Sequence, residues 1–268
     1  MAFASRDQIR QAVTAGRVQR WHFMKTGVST PEAAGSWASY YLATGTPGAA
    51  TAPTTYANLT DFAGSMLFTN VSPGNRYLTD AVVCSTQTGT LMVYDRLGHI
   101  GAISTSTTGN KTVSSSALPR SMGTNDLSNV EAWVEVTEAT NTTAPIISMN
   151  SYTNQAGTAA RAGGSLTFPA TATNIGWMAK LPLQAGDKGV QAVSTINVAT
   201  DSDTTGIVTV LLMRPLAAIP IAATNIATPI QLDILPRVYD GSSLFFAFMA
   251  TGTTAADIWG ELTFAYDA

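Results

Sequence analysis

An all-β fold, a β-sandwich of jelly-roll type with a short N-terminal helix and an extended arm, is what three features of the 268 residues predict. Residues 131–137 alternate: Ala132, Val134 and Val136 against Glu131, Trp133, Glu135 and Thr137. A period of two sends one set to a core and the other to solvent or a partner. Residues 207–213 are instead almost unbroken apolar and rich in β-branched types, the pattern of a strand covered on both faces. Clusters of Gly, Asn, Asp and Thr separate such runs and supply turns.

Taken in order, the chain opens with its one clear helix signal. Ser5 followed by Gln8 is a capping-box pattern, Ile9, Ala12 and Val13 share a side, and Gly16 is placed for a C-terminal stop. Residues 17–27 crowd Trp21, Phe23 and Met24 into an extended arm that either docks on a partner or folds back over its own domain. Residues 31–53, rich in Ala, Gly, Thr and Pro, read as an ordered loop because Trp37, Tyr40, Tyr41 and Leu42 need covering. A composition shift near residue 60 divides an N-terminal helix-and-arm region, 1–60, from a β-sandwich domain, 61–268. Within the latter, strands are expected over 66–70, 76–84 and 89–94, followed by a mobile polar loop at 104–116. Pro229 and Pro236 confine any strand over 224–237 to short or edge positions. Residues 243–251 and 257–266 have a hairpin-length spacer, and Phe246, Phe248, Trp259 and Phe264 are the expected aromatic core. About eight to ten strands are expected in all.

Composition narrows the function classes. Charged residues are 12% of the chain, about half the usual share, and Thr, Ser, Ala, Asn and Gly take their place. A surface of small neutral groups suits packing against copies or partners more than a freely diffusing monomer. The net charge of −3 argues against an electrostatic binder of nucleic acid or anionic membrane. The cluster Arg6, Arg10, Arg17, Arg20 and Lys25 reads as a solvated helix face. No apolar run is long enough for a membrane-spanning helix, and Met1–Arg10 lacks the apolar stretch of a signal peptide. Cys84 stands alone, so neither a disulfide within the chain nor a paired-cysteine zinc motif is expected, and it reads as a small buried hydrophobe.

Catalytic signals are weak. His22 and His99 are the two histidines; His99 with Asp95 and either a serine or Cys84 is the one conceivable nucleophile–base set, and no nucleophile-elbow motif frames it. Asp95 and Arg96 read as a pair stabilising a turn, with His99 a polar neighbour. Glu131 and Glu135 would lie about 13 Å apart on one strand face, too far for either glycosidase geometry, and read as exposed carboxylates. Asp201 and Asp203 resemble a calcium-loop fragment without its Gly and Glu positions, so a capped turn is expected. Ala162-Gly163-Gly164 lacks the Lys and helix of a phosphate loop. No cofactor and no metal is expected.

Four segments resemble a family of tailed-bacteriophage virion structural proteins: residues 89–99 (GTLMVYDRLGH), 130–136 (VEAWVEV), 151–161 (SYTNQAGTAAR) and 181–190 (LPLQAGDKGV). The likeness runs in order over about residues 60–268 and is looser before that. It implies a virion component with no catalytic residues to carry over. A helix-poor β chain is unlike a major capsid shell of the usual tailed-phage type and closer to a capsid decoration or cement protein. Expected partners are then the major capsid protein and copies of the chain itself, in a symmetric oligomer, a trimer by preference. Trp21, Phe23, Met24, Trp37, Tyr40 and Tyr41 would form the anchor, since aromatic side chains offer large contact area. A tail- or fibre-associated protein recognising host glycans through its polar loops is the alternative.

Overall fold

The helix signal is realised as α1 (Arg6–Thr14), which stops where Gly16 takes a φ of 72°, a conformation open to glycine at little cost. Its expected cap, Ser5, lies outside the described residues. Those are 6–27, 33–52, 54–58, 64–66, 68, 71, 74–113, 118, 129–140, 143–169, 175–232 and 234–267 of a computed structural model.

The strands are β1 (Val18–Lys25), β2 (Trp37–Ser39), β3 (Gly45–Thr46), β4 (Ala57–Asn58), β5 (Arg76–Ser85) and β6 (Gly89–Ser104). They continue with β7 (Gly109–Thr112), β8 (Glu131–Glu138), β9 (Ile146–Asn154), β10 (Ser165–Thr167), β11 (Trp177–Lys180) and β12 (Val190–Thr200). Last come β13 (Ile207–Ile221), β14 (Thr228–Gln231), β15 (Arg237–Val238), β16 (Leu244–Ala250) and β17 (Ile258–Tyr266). The excess over the expected strands is made of segments two to four residues long, too short to show periodicity.

All-β character and sandwich packing hold, with three sheets in place of two. A terminal sheet runs β14-β5-β17-β1-β3, with β15 also on β5. A polar sheet runs β10-β9-β12-β7. Between them lies a central sheet, β13-β8-β11-β2-β16-β6-β4, in which β13 also pairs with β6. Six strands therefore close into a ring, which leaves those members fewer edges to protect.

The long ribbon of β6 and β13 explains how one sheet serves two cores. Toward the polar sheet it presents Ile100, Ile103, Val208, Val210 and Leu212, which join Val134 and Val136 of β8 against Ile147, Met149, Ile196 and Val198. At its other end Leu91, Val93 and Ile219 join Phe246 and Phe248 against Phe23, Leu78, Leu262 and Phe264 of the terminal sheet. Each fully buried side chain of this size contributes roughly 1.5–3 kcal/mol. Pro215 and Pro220 fall in the part of β13 beyond Met213, where β8 no longer pairs with it, so their missing N–H costs no ladder bond on that side.

Several expectations need correction. Residues 243–251 and 257–266 do not form a hairpin: β16 belongs to the central sheet and β17 to the terminal one. Their phenylalanines meet across the core, and that demands two layers. Trp259 is only partly buried, on the outer side. The loop expected from residue 104 is ordered through Thr112, because the buried Thr105 hydroxyl bonds Ser202 at 2.7 Å and β7 adds to the edge of β12. Residues 114–117 lie outside the described residues. The turn expected at Asp95 is absent, since β6 runs straight through it.

Candidate functional site

The extended residues after α1 are folded back onto the chain's own sheet. Strand β1 pairs along its whole length with β17, from Val18 opposite Ala265 to Lys25 opposite Ile258. Alternation then divides it. Phe23 points inward, with its ring centroid 4.3 Å from that of Phe246. Gly260, directly opposite Phe23, makes this possible: a Cβ there would stand 2.0 Å from the Val82 carbonyl and 3.1 Å from the Phe23 ring. Trp21 is partly buried on the same side and packs on Phe68. Arg20, His22 and Met24 point outward, and Met24 is 57% exposed.

The remaining anchor candidates are built into the layers. Tyr40 is buried, and its hydroxyl donates to the Ala256 carbonyl. Tyr41 is buried in the ring, and Trp37 is half-buried beside Trp133, with centroids 5.8 Å apart. Of the six residues expected to form an anchor, Met24 alone is largely open to a partner. Residues that pattern reading passed over stand beside it. Register places Trp259 opposite Met24, and Glu261 between His22 and Val82, so all five share the outer face of the terminal sheet. A period-two reading of residues 18–25 was the available signal; their aromatic density hid it.

Lys25 lies at the inner end of the same strand. Its Nζ donates to the carbonyls of Ala43 and Pro47, both at 2.8 Å, and burial lowers its pKa to about 8. The amine thereby pins the 43–48 turn to β1. Gly45 serves the same junction with a φ of 127°, since a Cβ there would meet the Met24 carbonyl.

The ring interior holds the charges that the sequence placed on a surface. Glu135 is fully buried, a correction to its reading as an exposed carboxylate. The second face of β8 meets neither solvent nor partner but the inside of a closed sheet, lined by Trp133, Tyr94, Met178, Leu211, Met213 and Phe245. Glu135 lies 3.6 Å from the Arg96 guanidinium, which stacks over the Tyr41 ring at 3.7 Å. Burial raises the Glu135 carboxyl, against the opposing pull of Arg96, and lowers the Arg96 guanidinium. His99 is buried here too; burial first, then the positive field of Arg96, push it down to about 3. It is a neutral imidazole at ordinary pH.

Asp95 does not pair with Arg96. Neighbours on a strand face opposite ways, and Asp95 accepts from Arg214 at 3.2 Å, the Ser242 hydroxyl at 2.9 Å and the Ser243 amide at 3.1 Å. The conceivable set of His99, Asp95 and Cys84 is not assembled: Asp95 is committed to Arg214, and Cys84 is a buried free thiol on β5 of the terminal sheet. Glu131 binds Lys180 at 2.5 Å and Trp133 Nε1 at 2.8 Å.

A second cluster gathers residues 151–161 and 181–190. Asp187 accepts the Tyr152 hydroxyl at 2.5 Å, Asn154 Nδ2 at 2.8 Å, and Arg161 Nε and Nη2 at 2.9 and 3.1 Å. Arg161 above all, then Tyr152 and Asn154, hold its carboxyl down at about 2 in spite of partial burial. This clasp fixes two exposed loops against each other. Asp201 and Asp203 occupy the β12–β13 turn, where the Asp203 amide leans on Asp201 and Asp203 takes a φ of 67°. Among the described residues no three His, Cys, Asp or Glu side chains are grouped to hold a metal ion.

No protein-family model matches the chain, and no curated protein does. Solved structures with faint likeness are three of infectious bursal disease virus: the Gx strain, a VP2 subviral particle, and a VP2 mutant in T=1 particles. They are 8%, 7% and 9% identical, cover 92% of this chain and 79%, 80% and 77% of theirs, and give TM-scores of 0.18, 0.16 and 0.17. Scores this low mark no shared fold, and no property of this chain follows from them.

Proposed function

We propose that the chain is a non-enzymatic virion structural protein of a tailed phage, a capsid decoration or cement protein. It would stabilise the head through contacts with the major capsid protein and with its own copies in a symmetric oligomer, a trimer. One observation carries the reading. The four segments that resemble phage virion proteins are joined in pairs by ion pairs: 89–99 to 130–136 through Arg96 and Glu135, and 151–161 to 181–190 through Arg161 and Asp187. Pairings of that kind support a role for these segments in holding the body together. The low charge of the chain supports the same view, because subunits that must crowd together gain from weak mutual repulsion.

The test is to locate the chain in purified particles of the phage whose genome encodes it, by particle imaging and quantitative peptide counting. Many copies spread over the head are expected. A few copies at the tail would replace this reading with glycan recognition by a tail or fibre protein, and absence from particles would end both. Loss of a hydrolytic activity on His99→Ala would show an enzyme instead.

A further inference from the structure

Strand β1 has one edge covered and most of the other edge open. Its register with β17 is regular throughout, from Val18 to Lys25. In an antiparallel ladder the backbone groups of successive residues point to opposite edges. The Arg17 carbonyl accepts the Tyr266 amide, so Gln19, Trp21 and Phe23 also turn their N–H and C=O toward β17. Val18, Arg20, His22 and Met24 turn theirs the other way. On that side β3 pairs with Met24 and Lys25 alone, and the Met24 carbonyl stands against Gly45. Among the described residues no strand or side chain bonds the amides and carbonyls that Val18, Arg20 and His22 present there. Other margins are guarded. The sheets end in β3, β4, β7, β10 and β14, each no longer than four residues, and β14 carries Pro229. The part of β13 that β8 leaves uncovered holds Pro215 and Pro220. Proline lacks the donor that an added strand needs. Residues 18–23 contain no proline, no glycine and no register shift. Trp21 is only partly buried at this margin, with Phe68 6.1 Å away between ring centroids.

We infer that the open edge of β1, residues 18–23, is the docking site of an extended segment of a partner protein, which joins the terminal sheet as a further strand. Backbone complementarity selects that occupant, because alternating donors and acceptors along a strand edge are matched by another extended backbone. The added strand would run beside Arg20 and His22 on the outer face. Its inward side chains would cover the open flank of Trp21, so an alternating segment with an apolar residue at that level fits. A second copy's β1 fits less well. The antiparallel register that uses Val18, Arg20 and His22 of both copies sets Arg20 directly opposite Arg20, a like-charge pair. Glu261, 3.7 Å from Arg20 and 3.3 Å from His22, is already shared between the two within each copy. This deepens the decoration-protein reading and rests on it, with the major capsid protein as donor of the segment.

The experiment uses the full chain and phage heads assembled without it, scored by co-sedimentation. Arg20→Pro and His22→Pro each delete an amide on the open edge and leave the ladder to β17 its bonds, so both should fold. Each should weaken head binding by about tenfold or more. Arg20→Ala keeps the backbone and should bind within about twofold of the parent. Thermal melts identify the variants that fold. Amide hydrogen exchange of the parent at Arg20 and His22 should slow on head binding, while the Trp21 amide, turned toward β17, is protected in both states. That readout needs no variant and decides the matter if the proline chains do not fold. If folded proline variants bind like the parent, or the exchange is unchanged, the edge is wrongly assigned while the decoration reading stands. An equal loss in Arg20→Ala would assign the contact to the side chain and overturn the added strand. If the parent binds no heads, the decoration reading fails, and the capsid segment with it. Parent self-association abolished by Arg20→Pro would put a second copy in place of that segment.

Discussion

The two sandwich cores are built from different materials. The core under the polar sheet is mainly aliphatic, with Ile147, Val193, Ile196, Val198, Val210 and Leu212 at its centre. The core under the terminal sheet is aromatic, with Phe23, Phe68, Phe246, Phe248 and Phe264. Their outer faces differ as well, one a lattice of small neutral groups and the other carrying Met24, Val82 and Trp259 among charged residues of both signs. Branched aliphatic residues fill a sheet interface at many equivalent points, whereas a few large rings concentrate the packing at single positions. The aromatic half should therefore be the more fragile to point substitution, and the ring joining the halves more fragile still.

The largest effect is expected in that ring. Glu135→Leu leaves the Arg96 guanidinium buried opposite no carboxylate and should cost about 3–5 kcal/mol in denaturant unfolding, while adding Arg96→Met should recover much of it. If the single variant loses nothing, the ion pair does not join the halves. Next, Phe248→Ala should cost about 3–5 kcal/mol, against about 0.5–1.5 kcal/mol for Ile196→Val in the aliphatic core. Equal losses from substitutions matched for removed volume would erase the contrast.

Acid should act on the ring before the clasp. The unfolded chain protonates His99 near pH 6.5 and the folded chain only near 3, so stability falls as pH drops through that window. Asp187 has the depressed carboxylate's behaviour: its contribution is present above about 3.8 and is lost as pH falls toward 2. His99→Gln should flatten the loss between pH 6.5 and 3, and Asp187→Asn the loss below 3.8, both read as unfolding midpoints across pH. The smallest effect is expected from Ser194→Ala on the exposed polar face, within about 0.5 kcal/mol of the parent.

Much of this contrast was legible in the chain itself. The alternation at 131–137 located β8 and its core face, and the apolar run at 207–213 located a strand covered twice. What alternation cannot reveal is a sheet that closes on itself. Trp133 and Glu135 read as outward because nothing local shows that β2, β11 and β16 complete a ring over them. Charge misled in the same way at Asp95 and Arg96, which look like a turn in sequence and are strand residues with distant partners, Arg214 and Glu135. The short spacer before β17 suggested a hairpin because spacing is local information and the choice of sheet is not. At the candidate site, Met24 was found by its aromatic neighbours rather than by the outward alternation that exposes it, so Val82 was passed over, Trp259 was assigned to the core, and Arg20 and Lys25 to a helix face although both lie on β1 and Lys25 is buried.

The pairing of β1 with β17 also orders events in time. During synthesis Val18 is made before the other described strands, yet the residue opposite it, Ala265, lies on β17 and is made after them. Until then the terminal sheet has an open slot beside β5, and β1, with Phe23, lacks the strand that holds it against Phe246 of the central sheet. Closing so distant a contact is slow, and the waiting edge can accept a foreign strand. Ribosome-bound chains halted before β17 should therefore be prone to clumping, and the terminal sheet is complete only once β17 is in place.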